Sequence, residues 1–445
     1  MKKILLIIIS LTFFGQGFAQ EKTLKFSLDD AVNYALRNSY AIRNAKLDIA
    51  AAKKKKWETT TIGLPQISAK VDYQDFLKQV VTLLPAEFVG GPPGEFTEIK
   101  FGTKQNLHAT ITVNQLLFDG SYLIGLQSAK VFLQISELAK EKTKLETKEA
   151  VINAYGNVLL AEESVRILEK NKALLEKNLS DTKAIVKNGL AEEQDVEQLQ
   201  INLANINNQL NKTNRLKAIS YKMLNITLGL DLDTKIELTD TLEKLAVKST
   251  DLKLINKNFD LKNNIDYRIA DNTRTSNKLL MKFEMSKALP TLSAFANYSK
   301  FANSDKFTFF SKDQKWFASS LFGLSLNVPI FSSLKRSSRT QQARIALEQS
   351  EINLKQTSQK LKLQVANAKS DYQFALDQYL TSKENLRLSE RIEHKESVKF
   401  FEGVGSSFQL TTAQNQLYAK QQEYLQAILN IINTKIKLEN ALNIN

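Results

Sequence analysis

The amino-acid sequence predicts a mainly helical chain made of two similar halves, each with a pair of strands and a long antiparallel helical hairpin. The stretches 94–289 and 330–445 contain no proline, the residue that most reliably breaks a helix. Each stretch follows a short patch in which apolar and polar residues alternate as in a strand, and within each stretch apolar residues recur at intervals of seven. Because this order occurs twice, we interpret the chain as an internal repeat.

Matching segments support the repeat. Residues 64–69 (LPQISA) resemble residues 289–294 (LPTLSA) at an offset of 225, whereas Phe118 matches Phe331 at an offset of 213. The first half therefore carries 12 extra residues. We expect a first repeat over 20–228, an equatorial segment over 229–263 and a second repeat over 264–445.

The start of the chain predicts an exported protein. Two lysines precede the apolar run 4–14, and residues 17–19 supply the small residues that a signal peptidase reads. We expect a signal peptide over 1–19, cleaved between Ala19 and Gln20, because the apolar run is too short to span a bilayer as a helix. The chain has no cysteine, which excludes a disulfide framework and a lipid-modified N-terminal cysteine. Any attachment to a membrane must then come from the fold.

Four patches of period-two alternation predict strands at about 65–76, 105–118, 290–301 and 316–330. The second patch shows the pattern most clearly: its apolar face is Leu107, Ala109, Ile111 and Val113, and its polar face is His108, Thr110, Thr112 and Asn114. Each patch has about the 9–11 residues that a tilted strand needs to cross a membrane, and a soluble sheet with one wet face would alternate in the same way. Four strands are too few to close a membrane barrel, so strands that cross a membrane require several chains.

Heptad spacing predicts two antiparallel coiled-coil hairpins, over 120–228 and 333–443, with tips near Gly189 and near Gly403 to Gly405. The heptad positions include Leu138, Leu145, Ile152 and Leu159 in the first hairpin and Leu410, Leu417, Ile431 and Leu438 in the second. An arm over 120–188 would be about 100 Å long at about 1.5 Å per residue, too long for a globular domain. Polar residues along the seams suit a water-filled channel, although a solvated outer face uses the same residues more often.

Shorter elements connect these parts. Ser27 is placed to cap a helix that runs to about Trp57, and another helix at about 265–287 leads into the third strand. Residues 76–106 and 302–315 are predicted to be loops between the strands of each pair.

The chemistry-bearing residues argue against an enzyme and against a resident cofactor or metal. Two distant histidines, His108 and His394, cannot form a zinc cluster without cysteine, and the glycine-rich segment 90–94 lacks the lysine and following helix of a phosphate-binding loop. The net charge of +14 and the lysine run 53–56 would suit nucleic acid or an anionic surface. Export argues against nucleic acid, and lysines spread among acids along helices are typical of solvated faces.

The chain resembles the TolC-like outer-membrane efflux and secretion channels over essentially its whole mature length. The resemblance rests on Asn188-Gly189-Leu190 with Gln194-Asp195-Val196, on Gly403 with Phe408-Gln409-Leu410 and Ala413-Gln414, and on Val328-Pro329-Ile330-Phe331. It implies a homotrimer in which four strands per chain make one 12-stranded barrel and the helices make a tapered tunnel. It also implies an outer-membrane location with a long periplasmic extension.

The resemblance implies a periplasmic gate at the tips, with candidates Gly189, Gln194, Asp195, Gly403, Gly405, Phe408, Gln409 and Thr412. Asp195 matches a position of the family's closed gate, and an acid there suits the first turn of the returning helix equally well. Gly405 stands where the family's gate network has an arginine, and Gln409 and Thr412 stand at positions of its inner acidic ring. The ion-pair latch and the cation-binding ring of the family therefore lack these groups here. Three phenylalanines lie near the second tip: Phe400, Phe401 and Phe408. We expect them to pack between hairpins; the alternative is that they narrow the mouth of the channel by apolar contact.

The implied function is passive conduction of drugs, small molecules or secreted polypeptides to the exterior. The implied partners are a periplasmic adaptor, an inner-membrane transporter (an efflux pump or a secretion ATPase) and outer-membrane lipid. The main alternative is a soluble exported coiled-coil adaptor or scaffold, which would share the heptads but would not need four strands of membrane-spanning length. A general diffusion porin would need many more strands in one chain.

Overall fold

The computed structural model describes residues 23–189 and 192–444. The predicted signal peptide and its cleavage site lie outside the described residues, as does Leu190 of the first tip. In chain order the elements are β1 (Leu24–Phe26), α1 (Leu28–Asn38), α2 (Tyr40–Thr61), β2 (Gln66–Asp75), β3 (Val81–Pro85), β4 (Phe96–Lys100), β5 (Gln105–Asp119), α3 (Gly120–Lys187), α4 (Glu193–Leu228), β6 (Ile236–Leu238), α5 (Leu242–Ser249), α6 (Ile265–Ser286), β7 (Thr291–Ser304), β8 (Phe317–Asn327), α7 (Lys335–Phe401) and α8 (Ser407–Leu442).

The chain forms two compact units. The sheet unit comprises Ile49–Ile135 and Asp271–Asn353, and the hairpin unit comprises the described residues within 23–48, 136–270 and 354–444. Each unit takes residues from both halves of the sequence, and the division into two repeats stays a prediction.

In the sheet unit, the four predicted strands form one antiparallel sheet in the order β2–β5–β7–β8. Each strand lies within a few residues of its predicted position, because a period-two pattern of 10 or more residues leaves little choice of element. No helix in the described part of the chain is both long enough and apolar enough to cross a membrane.

The segment 76–106 is a correction to the sequence prediction of a loop. Strands β3 and β4 form a two-stranded antiparallel sheet within it, and the connection between them contains a short 3₁₀ helix at Ala86–Val89. Gly90 and Gly94 take positive φ angles of 84° and 87°, a left-handed conformation that glycine adopts without strain. Both strands have five residues, and β3 ends at Pro85, so the alternation pattern is too short to reveal them.

The first helix is a second correction. The predicted helix from Ser27 to about Trp57 divides at Ser39 into α1 and α2, and α2 continues to Thr61. Ser39 adopts an extended ψ of 147°, and its hydroxyl accepts a hydrogen bond from the Ile42 backbone N–H at 3.4 Å. A Cβ atom at Gly229 would lie 2.6 Å from the Asn38 carbonyl oxygen, so the break occurs where another segment approaches closely. The predicted cap at Ser27 is present, with the Asp30 N–H donating to the Ser27 hydroxyl at 3.2 Å.

The hairpin unit contains both predicted antiparallel hairpins. Helices α3 and α7 have 68 and 67 residues, and each is followed by a returning helix of 36 residues, α4 or α8. Heptad positions such as Val151, Val158 and Ile431 are fully buried in its main apolar core. Two hydrogen bonds, Asn440 to Glu149 and Asn171 to Gln421, show that α3 and α8 run antiparallel alongside each other.

The segment 229–263 is tied to both long helices by buried tyrosines. Strand β6 pairs in parallel with β1, and the Tyr155 hydroxyl donates to the Phe26 carbonyl at 3.0 Å. The Tyr372 hydroxyl donates to the Ser249 carbonyl at 2.6 Å and accepts from the Asp251 N–H at 2.9 Å. Burial raises the pKa of both phenols, because a phenolate would be poorly solvated there.

Candidate functional site

The strand register aligns the apolar residues of all four strands on one face of the sheet. Ile111 lies opposite Ala69 on β2 and opposite Tyr298 on β7, and Ala296 lies opposite Phe322 on β8. The apolar face is formed by Ile67, Ala69, Val71, Tyr73, Leu107, Ala109, Ile111, Val113, Leu292, Ala294, Ala296, Tyr298, Ala302, Ala318, Phe322, Leu324 and Leu326, and the register places Lys300 and Ser320 on the same face. The alternation predicted for separate strands is thus continuous across the sheet.

This apolar face is open in the single chain. Ile67 is 72% exposed and Phe322 is 70% exposed. Soluble monomers rarely expose an apolar patch of this extent, and such patches usually mark a surface that contacts lipid or another protein.

The opposite face is polar, with a row of aromatic rings. Lys70 forms an ion pair with Asp72 at 2.8 Å, and the Thr110 and Ser299 hydroxyls lie 3.0 Å apart. On the same face three rings stack across neighbouring strands, with centroid separations of 5.7 Å and 5.6 Å: His108, Phe301 and Phe317. Sequence reasoning missed this row, because it depends on a register between strands that no single strand reveals.

The first hairpin tip turns at Gly189, whose φ of 74° suits glycine. The Glu192 backbone N–H donates to the Asp195 carboxylate at 3.3 Å, so this carboxylate caps the start of α4. Asp195 is half-buried and Gln194 is exposed. The cap is the contact that the structure gives Asp195, and its part in a gate stays a prediction.

The second tip has the same design with different residues. Gly403 has a φ of 73°, and the Lys399 carbonyl accepts hydrogen bonds at 3.0 Å from the N–H groups of Val404 and Gly405. Ser406 and Gln409 cap each other's backbone at 3.2 Å and 3.3 Å. Gln409 therefore caps the start of α8, as Asp195 caps the start of α4.

The remaining candidates differ in exposure. Phe400 is buried and meets Phe401 edge to face at 5.3 Å, whereas Phe408 is 76% exposed. The Thr412 hydroxyl donates to the Phe408 carbonyl within α8 at 2.8 Å. Among the described residues, no hydrogen bond or ion pair joins one tip to the other.

A family model for outer membrane efflux proteins matches residues 31–230 and 282–443. These ranges include both hairpins, both tips and all four strands of the main sheet. The chain belongs to the outer membrane efflux protein family. The prediction that it is a transport protein rather than an enzyme agrees with that family.

Solved structures of channel and outer-membrane proteins share this fold. CusC matches with a TM-score of 0.74 at 18% identity, over 93% of this chain and 91% of that chain. VceC from Vibrio cholerae matches with a TM-score of 0.71 at 14% identity, over 93% and 95%. The CmeC outer membrane channel from Campylobacter jejuni matches with a TM-score of 0.72 at 16% identity, over 93% and 85%. No curated protein sequence matches the chain.

These likenesses confirm the predicted fold class of long helical hairpins combined with a β domain.

In this efflux family protein, sequence reasoning also missed a group of buried polar residues near the second tip. Gln414 is 1% exposed and both polar atoms of its amide lack a hydrogen-bond partner, and one carboxylate oxygen of buried Glu393 lacks one as well. Burial and the negative charge of Glu393 raise the pKa of the Tyr418 phenol. The sequence feature that could have indicated this group is a polar residue, Gln414, at a heptad position where an apolar residue is expected.

Within the described residues, no three or more histidine, cysteine or acidic side chains are grouped as a metal site requires.

Proposed function

We propose that three copies of this chain form one outer-membrane channel that conducts substrates passively to the exterior. The four-stranded sheet is the chain's share of a 12-stranded barrel, and the hairpins line a periplasmic tunnel. The substrates are drugs, small molecules or secreted polypeptides.

The exposed apolar face of the sheet carries this proposal. Its strands have 10, 15, 14 and 11 residues, enough for the roughly 9–11 residues that a tilted strand needs to cross a membrane. Four strands leave two unpaired edges, which lipid cannot satisfy, so closure requires further strands from other chains. Three copies give an even-numbered barrel of the size class that single-chain barrels also adopt.

The remaining parts of the proposal follow from the family. A periplasmic adaptor contacts the hairpin tips, and an inner-membrane efflux pump or secretion ATPase supplies the energy. The proposed location is the outer membrane, without a lipid anchor, since the sequence has no cysteine to carry one. A soluble coiled-coil adaptor or scaffold would leave the apolar face of the sheet without a function.

The proposal is tested by expressing the full chain with its signal, isolating outer membranes and washing them with alkaline carbonate. We expect the protein to stay in the membrane fraction and to migrate as a trimer after chemical crosslinking. Release by carbonate, or crosslinking only as a monomer, would contradict the proposal and favour a peripheral adaptor.

A further inference from the structure

The loop between β7 and β8, residues 305–316, lies at the end of the sheet away from the helices of the same unit. Helix α6 leads into the start of β7, and β8 runs back toward α7, so this loop joins their far ends. Under the proposed function, this end of the sheet faces the cell exterior.

Aromatic contacts hold this loop on the apolar face of the sheet. The ring of Tyr73 lies 5.7 Å from that of Phe307 and 6.0 Å from that of Phe309. Phe309 is 2% exposed, and Ala302, which shares a row with Tyr73 through Leu107, is fully buried. The loop therefore folds over the face assigned to lipid.

Beyond this anchor, the loop presents aromatic rings outward. Phe310 is 87% exposed and Phe307 is 60% exposed, with 5.9 Å between their centroids. Membrane barrels carry girdles of aromatic residues where the hydrocarbon meets the headgroups. The position and exposure of these rings are those of such a girdle.

Unpaired cations lie beside these rings. No carboxylate of the described residues lies within 4.0 Å of the ammonium groups of Lys306, Lys312 and Lys315. Lys300 belongs to the apolar face itself, where it lies opposite Ala109 and Ala318. Of the two acids in the loop, Asp305 accepts a hydrogen bond from the Lys104 backbone N–H at 3.0 Å, and Asp313 is the other. The loop is thus positively charged where it meets the apolar face.

We propose that this loop binds the phosphate-bearing headgroups of lipids in the outer leaflet, with its phenylalanines in the acyl boundary and its lysines on the phosphates. The inference rests on the proposed function, since it requires the apolar face to be in a membrane. Lysines near a membrane surface are attracted to anionic headgroups, and the three lysines of the loop together with Lys300 on β7 outnumber the two acids of the loop. A headgroup phosphate also supplies a counter-charge to Lys300, whose ammonium group forms no ion pair with a carboxylate of the described residues.

The test compares full-length trimers purified in detergent, titrated with lipid A that carries two phosphates, lipid A that carries one, or phosphatidylethanolamine. Bound lipid is counted by native mass spectrometry. The loop variant K306Q/K312Q/K315Q is compared with K53Q/K54Q/K56Q, which removes the same charge from exposed positions on α2. The variant K306R/K312R/K315R keeps the charge and checks that substitution alone is tolerated.

We expect the wild type to prefer the lipid with two phosphates and the loop variant to bind it at least tenfold more weakly. The α2 and arginine variants should bind like the wild type. Equal weakening in the loop and α2 variants would overturn the inference in favour of unspecific charge attraction. Unchanged lipid binding with loss of the trimer in the loop variant would overturn it in favour of a neighbouring copy as the occupant. Failure of the wild type to stay in carbonate-washed membranes would instead contradict the proposed function.

Discussion

At the scale of single residues, the two hairpin tips reach the same backbone geometry with different side chains. Asp195 and Gln409 each accept a hydrogen bond from the backbone N–H three residues earlier. Only Asp195 brings a negative charge, so capping and charge can be separated by substitution at that position.

We expect Asp195→Ala to loosen the start of α4 by about 1 kcal/mol, because the helix loses its cap. Asp195→Asn keeps an acceptor oxygen and should retain most of that stability. Hydrogen exchange of the amides in 193–199 measures the difference. If both variants open the channel equally in conductance measurements while exchange is unchanged in Asp195→Asn, the charge rather than the cap is what matters at this tip.

Two glycines with left-handed backbones provide another test. Gly229 has a φ of 83° and no room for a Cβ beside Asn38, whereas Gly189 has a φ of 74° and open space around it. Gly189→Ala should cost only the backbone strain, about 1–2 kcal/mol. Gly229→Ala should cost more, because Asn38 and Ser39 must also shift. Equal falls in melting temperature for the two variants would show that the close approach of Gly229 to the helix break does not add to the cost of the substitution.

At the scale of elements, the length of each residue pattern and the number of times it repeats determined which helices and strands could be predicted from the sequence. The long alternating and heptad patterns identified the sheet strands and the hairpins because each pattern repeats many times. The β3–β4 pair is five residues per strand, and the break at Ser39 depends on the approach of Gly229 from 190 residues away in sequence. The aromatic row and the unpartnered amide of Gln414 depend on registers between elements, which one-dimensional periodicity does not contain.

The same alternation predicts unequal effects of charge on the two faces of β8. Leu324 lies on the apolar face and Ser325 on the polar face, one residue apart and both exposed. Leu324→Arg should lower the amount of trimer recovered from membranes, since an arginine facing lipid costs about 2–4 kcal/mol at mid-depth. Ser325→Arg should be tolerated. Equal recovery of the two variants, measured by immunoblot of carbonate-washed membranes, would contradict the assignment of faces.

The tie between the segment 229–263 and the long helices should weaken at alkaline pH. Burial raises the pKa of Tyr155, so the neutral phenol is favoured in the folded chain. Its contribution to stability is complete below the ordinary tyrosine pKa of about 10 and is lost as pH rises toward the folded value. The free energy of unfolding, measured by chemical denaturation, should therefore fall more steeply above about pH 10 in the wild type than in Tyr155→Phe. Parallel curves for the two proteins would contradict this.

At the scale of the whole molecule, the chain is an outer membrane efflux family protein whose sheet is incomplete alone. The shared barrel that we propose would explain the exposed apolar face and the two unpaired strand edges together. Family membership and fold do not depend on the tip chemistry, and the predicted difference from the family's gate residues at Gly405, Gln409 and Thr412 stays a prediction.

The most direct test of the channel account is a cysteine scan along β5 at positions 107–114, which the absence of native cysteine makes possible. Each single-cysteine protein is placed in vesicles and treated with a water-soluble maleimide. The account predicts labelling at 108, 110, 112 and 114 and protection at 107, 109, 111 and 113, because lipid covers the apolar face. Labelling at all eight positions, or protection without a period of two, would contradict a sheet that faces lipid on one side and a water-filled lumen on the other.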